Sequence, residues 1–141
     1  MFERCLYFNS NTLARKLNHR WEQAFAAFDL APSHAYLLRL VLAQPGMTQQ
    51  AIAKELRLDK STVARFVNKL EVKDLLRRSN SEEDSREKII IPSPKAAAIH
   101  ESLESTGDTL YRQMCDALGE DDLKALVRTM RKVSEKLDSI V

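Results

Sequence analysis

The chain has 141 residues, of which 44% are hydrophobic and 30% charged, and its formal net charge is only +2. That balance excludes a disordered chain, and the length suits one domain with a modest core. Bulk charge does not announce nucleic acid, so any such role must rest on where single basic residues stand.

Leu13, Leu17, Trp21, Phe25 and Phe28 recur at steps of four, four, four and three, which predicts a helix from about residue 5 to 28. Leu30-Ala31-Pro32-Ser33 breaks it. Pro32 suits a first helical turn and Ser33 a cap, so residues 34 to 43 read as a short, mostly buried helix carrying Tyr36, Leu37, Leu40 and Val41. Gln44-Pro45-Gly46 is a turn, and Thr48 caps a helix through Ile52, Ala53 and Leu56. After the tight link Arg57-Leu58, Asp59 caps a helix with Val63, Phe66, Val67 and Leu70 on one side. Two short helices so joined form the helix-turn-helix pattern.

Leu75 to Ser79 reads as a strand, Asn80 to Arg86 as a polar loop, and Lys88 to Ile91 as the returning strand before Pro92. This hairpin is a wing directly after the second short helix. Ile99, Leu103, Leu110, Met114 and Leu118 form a helical stripe that Gly119 closes. Asp121 and Asp122 favour the start of a last helix, striped by Leu123, Leu126, Val127, Met130, Val133, Leu137 and Ile140. The fold class expected is mainly α: a winged helix-turn-helix with a two-stranded β wing, flanked by N- and C-terminal helices.

No apolar run approaches the ~20 residues that span a bilayer, and Met1-Phe2-Glu3-Arg4-Cys5 lacks signal-peptide order, so a cytoplasmic location away from membranes is expected. Cys5 and Cys115 are too few for a disulfide framework, and no close Cys/His grouping predicts a metal. The sequence offers no nucleophile triad, paired carboxylates or phosphate loop, so neither an enzyme nor a cofactor is expected.

The run Thr48-Gln49-Gln50-Ala51-Ile52-Ala53-Lys54-Glu55-Leu56, with Asp59-Lys60-Ser61-Thr62-Val63, Leu75-Leu76-Arg77-Arg78 and the wing Asp84-Ser85-Arg86, resembles the MarR family of bacterial regulators over essentially the whole length. The resemblance implies one MarR-type domain over residues 1–141, with a DNA-binding part at 31–93 and dimerisation helices at 1–30 and 94–141. It implies a homodimeric repressor of palindromic operators, often relieved by a small aromatic or anionic ligand or by oxidation. Asp74 stands where the family usually has Gly and is expected to turn left-handed. Pro92-Ser93-Pro94 and Ala96 replace the family's Leu-Thr and Gly after the wing.

With Val63 at zero on a helical wheel, Ser61, Arg65 and Asn68 fall nearly opposite the apolar stripe, with Thr62 and Lys69 at the margin. Arg65 is the foremost candidate base reader, since Arg pairs bidentately with guanine in the major groove. Lys60, Ser61 and Thr62 are candidates for phosphates or base edges, and Arg78 and Lys88 join the DNA-binding set. Gln49 and Gln50 open a helix whose exposed amides suit a phosphate, with simple capping a close second reading. At the wing, Arg86 is the candidate for a narrow minor groove, and Asp84 for holding Arg86 or Arg78 in place. From Asp59 to Lys88, eight Lys and Arg meet seven Asp and Glu, an excess of one, so binding would rest on geometry and on two copies.

Three terminal apolar stripes exceed what one small domain buries, and pairing the termini of two subunits resolves this. Arg15, His19 and His34 are candidates for a ligand cleft, by the resemblance. Two alternatives stay open: a winged-helix protein-interaction module without DNA binding, and a peroxide-sensing regulator using Cys5 near Tyr7, about two residues before the position the sensing branch would require.

Overall fold

A computed structural model describes residues 1–140; Val141, the last residue of the expected C-terminal dimerisation segment, lies outside the described residues. The order is α1 (Leu6–Phe25), a 3₁₀ turn (Ala26–Phe28), α2 (Pro32–Ala43), α3 (Gln49–Leu56), α4 (Lys60–Val72), β1 (Leu76–Asn80), β2 (Lys88–Pro92), α5 (Pro94–Leu118) and α6 (Glu120–Asp138). The chain divides into two compact units, Met1–Ser105 and Thr106–Val141, the division falling inside α5. No described helix is long and apolar enough to cross a membrane.

The stops and starts have local causes. Cys5 caps α1 through Sγ, which accepts the Phe8 N–H at 3.5 Å. The first helix closes through a 3₁₀ turn ended by Asp29 at φ +54, rather than running as one helix to residue 28. Ser33 does not cap α2: Ala31 is the extended N-cap residue and Pro32 takes the first position, since proline has no N–H to leave unpaired there. Tyr36 is correspondingly surface-facing, 39% exposed, with its hydroxyl accepting Trp21 Nε1–H at 3.1 Å. Thr48 caps α3 as expected, accepting the Ala51 N–H at 3.1 Å. Asp59 precedes α4 as expected, but its Oδ1 accepts the Thr62 hydroxyl at 3.0 Å instead of a backbone N–H.

Arg57 (φ +56) and Asp74 (φ +58) end α3 and α4 in the left-handed region. Each lets the next amide close back five residues, Leu58 N–H to Ala53 O at 3.0 Å and Leu75 N–H to Leu70 O at 2.9 Å. The wing is shifted one residue from the expected β1 span, pairing Leu76 with Pro92 and Asn80 with Lys88. Pro92 belongs to β2, at its very end, where a missing N–H costs no ladder bond. Ser93, 1% exposed, is the joint between wing and α5: its hydroxyl donates to Asp74 O at 2.6 Å and accepts the Ala96 N–H at 3.1 Å.

The core of the first unit gathers Phe25, Leu37, Leu38, Val41, Ile52, Val63, Val67, Leu70, Leu76, Ile90 and Leu103, all fully buried or within 1% of it. Each such Leu, Ile or Val contributes about 1.5–3 kcal/mol. Three of them, Leu37, Leu38 and Val41, come from α2, where Ala35 and Leu42 are buried as well, which makes that short helix the centre of the unit. Other apolar side chains stay in water. In the first unit these include Phe2, Leu6, Tyr7, Phe8 and Leu13; in the second, Leu118, Leu126, Val127, Met130, Leu137 and Ile140.

Arg39, stacked 4.8 Å over the Tyr36 ring, reaches from α2 to Glu104 of α5 with two bonds, Nε to Oε1 at 2.9 Å and a terminal nitrogen to Oε2 at 3.1 Å. Arg39 holds the Glu104 carboxyl below its usual range, chiefly through that hydrogen bond. A carboxylate so lowered stabilises the fold above its unfolded pKa of ~4.3 and loses that contribution as pH falls through the folded value. Glu104→Gln is therefore expected to flatten the fall in denaturant midpoint between about pH 5 and 3. An identical pH profile for parent and variant would remove Glu104 from the acid response.

Candidate nucleic-acid interface

The helix pair puts a polar face on α4 because its apolar positions are taken inward. Val63, Val67 and Leu70 are fully buried, and Ser61, Arg65, Asn68 and Lys69 are exposed, with Lys60 exposed at the first turn. Thr62 is half-buried and links two neighbours: Arg65 donates to its oxygen at 3.4 Å, and it donates to Asp59. Gln50 is exposed at the start of α3, and Gln49 half-buried beside it.

The wing tip is built by the Asp84-Ser85-Arg86 turn. Asp84 Oδ1 accepts the Arg86 backbone N–H at 3.0 Å and its Nε–H at 3.3 Å. Of the two partners expected for Asp84, the structure selects Arg86, whose side chain is 91% exposed. The hairpin is closed below by Ser81 N–H to Glu87 O at 2.9 Å and by Lys88 donating to the Asn80 side chain. Lys88 thus leans along the wing stem.

Arg78 faces protein. Its guanidinium donates to Gln49 Oε1 at 2.9 and 3.3 Å, to Asn68 Oδ1 at 2.9 Å, and pairs closely with Glu71. It fastens α3, α4 and β1 to one another, whereas Arg65 and Arg86 stand out from the surface. Glu71 was not singled out in the sequence. Its position three after Asn68 puts both on one helix face, which is the signal that pairs them.

The sequence model of the MarR family matches residues 30–88, from just before α2 to the first residue of β2. The transcriptional regulator MgrA of Staphylococcus aureus is 26% identical over 134 residues, covering 94% of this chain and 90% of MgrA. Over residues 30–88 the chain is thus similar to the MarR family, and over nearly its whole length to MgrA. Solved structures agree in fold. The S. aureus MepR–DNA complex superposes with a TM-score of 0.85 at 23% identity, over 96% of this chain and 99% of MepR. Bordetella bronchiseptica BpsR, whose DNA binding is regulated by 6-hydroxynicotinic acid, gives 0.84 at 18% identity, over 95% and 96%. MgrA is a transcriptional regulator by name, and the MepR structure is a complex with DNA.

Beside Lys69 and Lys73 at the C-terminal end of α4 the chain has an open cavity of about 320 Å³. Leu30 and Pro32 form apolar wall; Glu22, Asp29, His34, Lys69 and Lys73 supply polar groups. Lys73 donates to the Asp29 carbonyl and lies 3.5 Å from its carboxylate. His34 packs edge-on against Phe66 with ring centroids 4.6 Å apart. Burial, then the Lys69 and Lys73 charges, push the His34 pKa down, which favours the neutral ring. Arg15 and His19 stand outside this lining, both exposed on α1, with Arg15 donating to Thr12 at 3.3 Å. The structure therefore does not gather the three expected cleft residues on this cavity. Lys73 and Asp29 were the residues missed, because their meeting depends on the left-handed turn at Asp29.

Proposed function

We propose that the chain is a homodimeric, cytoplasmic repressor that seats one α4 in each half of a palindromic operator, with Arg86 of each wing in the flanking minor groove. The observation that carries this reading is the exposed row Ser61, Arg65, Asn68 on α4, followed at once by a wing whose Arg86 is oriented by Asp84. MepR, a structural neighbour, is known bound to DNA, and a helix pair of this kind reads bases from its second helix. The Lys60, Ser61, Thr62, Lys69, Gln49 and Gln50 positions supply phosphate and base-edge contacts around that row. The unpartnered apolar side chains of α1 and α6 support a second copy as partner. A small aromatic or anionic effector in the cavity beside His34 would touch Lys69 of the reading helix directly, which links ligand to DNA affinity.

Selection of bound duplexes from a random library tests the proposal, with enrichment of a two-fold symmetric sequence expected. On that duplex Arg86→Ala should bind on the order of tenfold more weakly, with a smaller loss for Asp84→Ala, which frees the arginine without removing it. Failure of the parent to enrich any sequence would favour the protein-interaction module instead. Parent-like binding by both variants would remove the wing from the interface.

A further inference from the structure

We propose that Arg78 sets the base preference of Asn68, by holding its amide oxygen toward the protein and so turning the amide nitrogen, a donor, to DNA. The inference rests on the DNA-binding reading of α4 and adds to it a specific letter. Arginine carries only donors, so the atoms it meets on Gln49 and Asn68 must be the amide oxygens. The planar amide then places the nitrogen of each on the side away from Arg78. Asn68 is exposed, so its amide nitrogen is presented from the polar face of α4.

The arrangement is held from behind. Glu71 pairs with the same guanidinium, and the Arg78 and Glu71 side chains are 31% and 30% exposed, which shields the charge-assisted bond. A phosphate clamp at Arg78 would have to break contacts to three residues on two helices. Arg78 is thus a positioning residue.

The consequence is chemical. An asparagine that reads adenine must accept the N6 hydrogen with its oxygen while donating to N7. Arg78 turns the Asn68 oxygen toward itself, away from an N6 hydrogen, so the second half of the pair is not presented. Guanine instead offers two neighbouring acceptors, N7 and O6, and thymine offers O4. Asn68 therefore reads guanine first and gives adenine no bidentate advantage. Gln49 is fixed in the same sense, its amide nitrogen a donor at the start of α3.

The test compares duplexes selected by the parent, Asn68→Ala, Asn68→Asp and Arg78→Lys. Asn68→Ala locates the symmetric pair of operator positions that Asn68 reads, and the parent should prefer guanine there. Arg78→Lys keeps the charge but lacks the fork that holds two amide oxygens. It should raise the acceptance of adenine at that pair about tenfold, leaving other positions and the salt dependence as in the parent. Asn68→Asp keeps an acceptor for Arg78 and removes the donor, so guanine should give way to cytosine, whose N4 donates. Thermal melting of Arg78→Lys separates unfolding from altered reading; if that variant unfolds, the surface change Asn68→Asp decides alone. Adenine preferred by the parent, or guanine retained by Asn68→Asp, would overturn the inference, as would an unchanged base profile in a folded Arg78→Lys. A parent that enriches no sequence would overturn the DNA reading itself and this inference with it.

Discussion

Changing Met130 and Leu137 together to Glu is expected to yield a folded monomer whose operator binding has fallen to the non-specific level, a loss on the order of 10³-fold or more. Met130 is 50% and Leu137 56% exposed, and with Val127 they form one stripe of α6, with exposed Ile140 just past the helix end. A stripe of this kind gains ~25 cal/mol per Å² when a partner covers it. Two carboxylates within it would have to be desolvated on association, at a cost a small interface does not repay. Because both side chains already face water, the fold itself should shift by no more than about 0.5 kcal/mol. The effect on DNA is large because a two-fold dimer engages both half-sites at once, while a monomer holds one. Light scattering on the variant beside circular dichroism separates association from folding. A variant that stays dimeric would move the interface away from α6.

Arg65→Ala is expected to erase base preference at one symmetric pair of operator positions, at about 1–3 kcal/mol of discrimination. Its guanidinium touches Thr62 only at a long 3.4 Å, so most of its donors face outward. Thr62 is itself tied to Asp59, which steadies the stem from which Arg65 extends. The buried side of α4, Val63, Val67 and Leu70, is untouched by the change, so stability should hold. Lys69→Ala gives the contrast: weaker binding to all sequences alike and a salt slope flatter by about one per subunit, because a phosphate contact acts through counterion release. Binding to the selected duplex and its single-position variants at two salt concentrations distinguishes the two. A uniform loss for Arg65→Ala, with every base preference intact, would make Arg65 a phosphate clamp.

The helix pair and the wing were legible because burial imposes period on sequence. Val63, Val67 and Leu70 are spaced for one face, and all three are buried where that spacing puts them. Single-residue chemistry was less legible. Ser33 looked like a cap, yet Pro32 begins α2 from a position where its missing N–H costs nothing. Cys5 carries no sequence signal for capping, yet its sulfur does that at α1. Arg78 looked like one more basic residue near DNA. Its acceptors come from residues 49, 68 and 71 on two helices, and no local pattern shows that they converge. Ser93 was similarly hidden: a serine between two prolines reads as a break, and only the packed turn at Asp74 makes it a joint.

The wing is anchored beyond its own hairpin. Gly46 N–H bonds Ile90 O at 2.9 Å, and Ile90 N–H bonds Met47 O at 2.8 Å, so the residues just before α3 form a third, one-bridge edge on the sheet. Gly46 reaches this place at φ +94, a conformation glycine takes without strain. With the Arg78 fork beside it, the hairpin is a lever pivoted at Ile90 and geared to both helices. The hairpin is thereby bonded both to the segment before α3 and, through Arg78, to α3 and α4. On the proposed DNA reading, a duplex whose groove spacing misfits the Arg86 tip by about an ångström or two would itself have to deform, so stiff and pliant operators of equal base content are expected to bind differently.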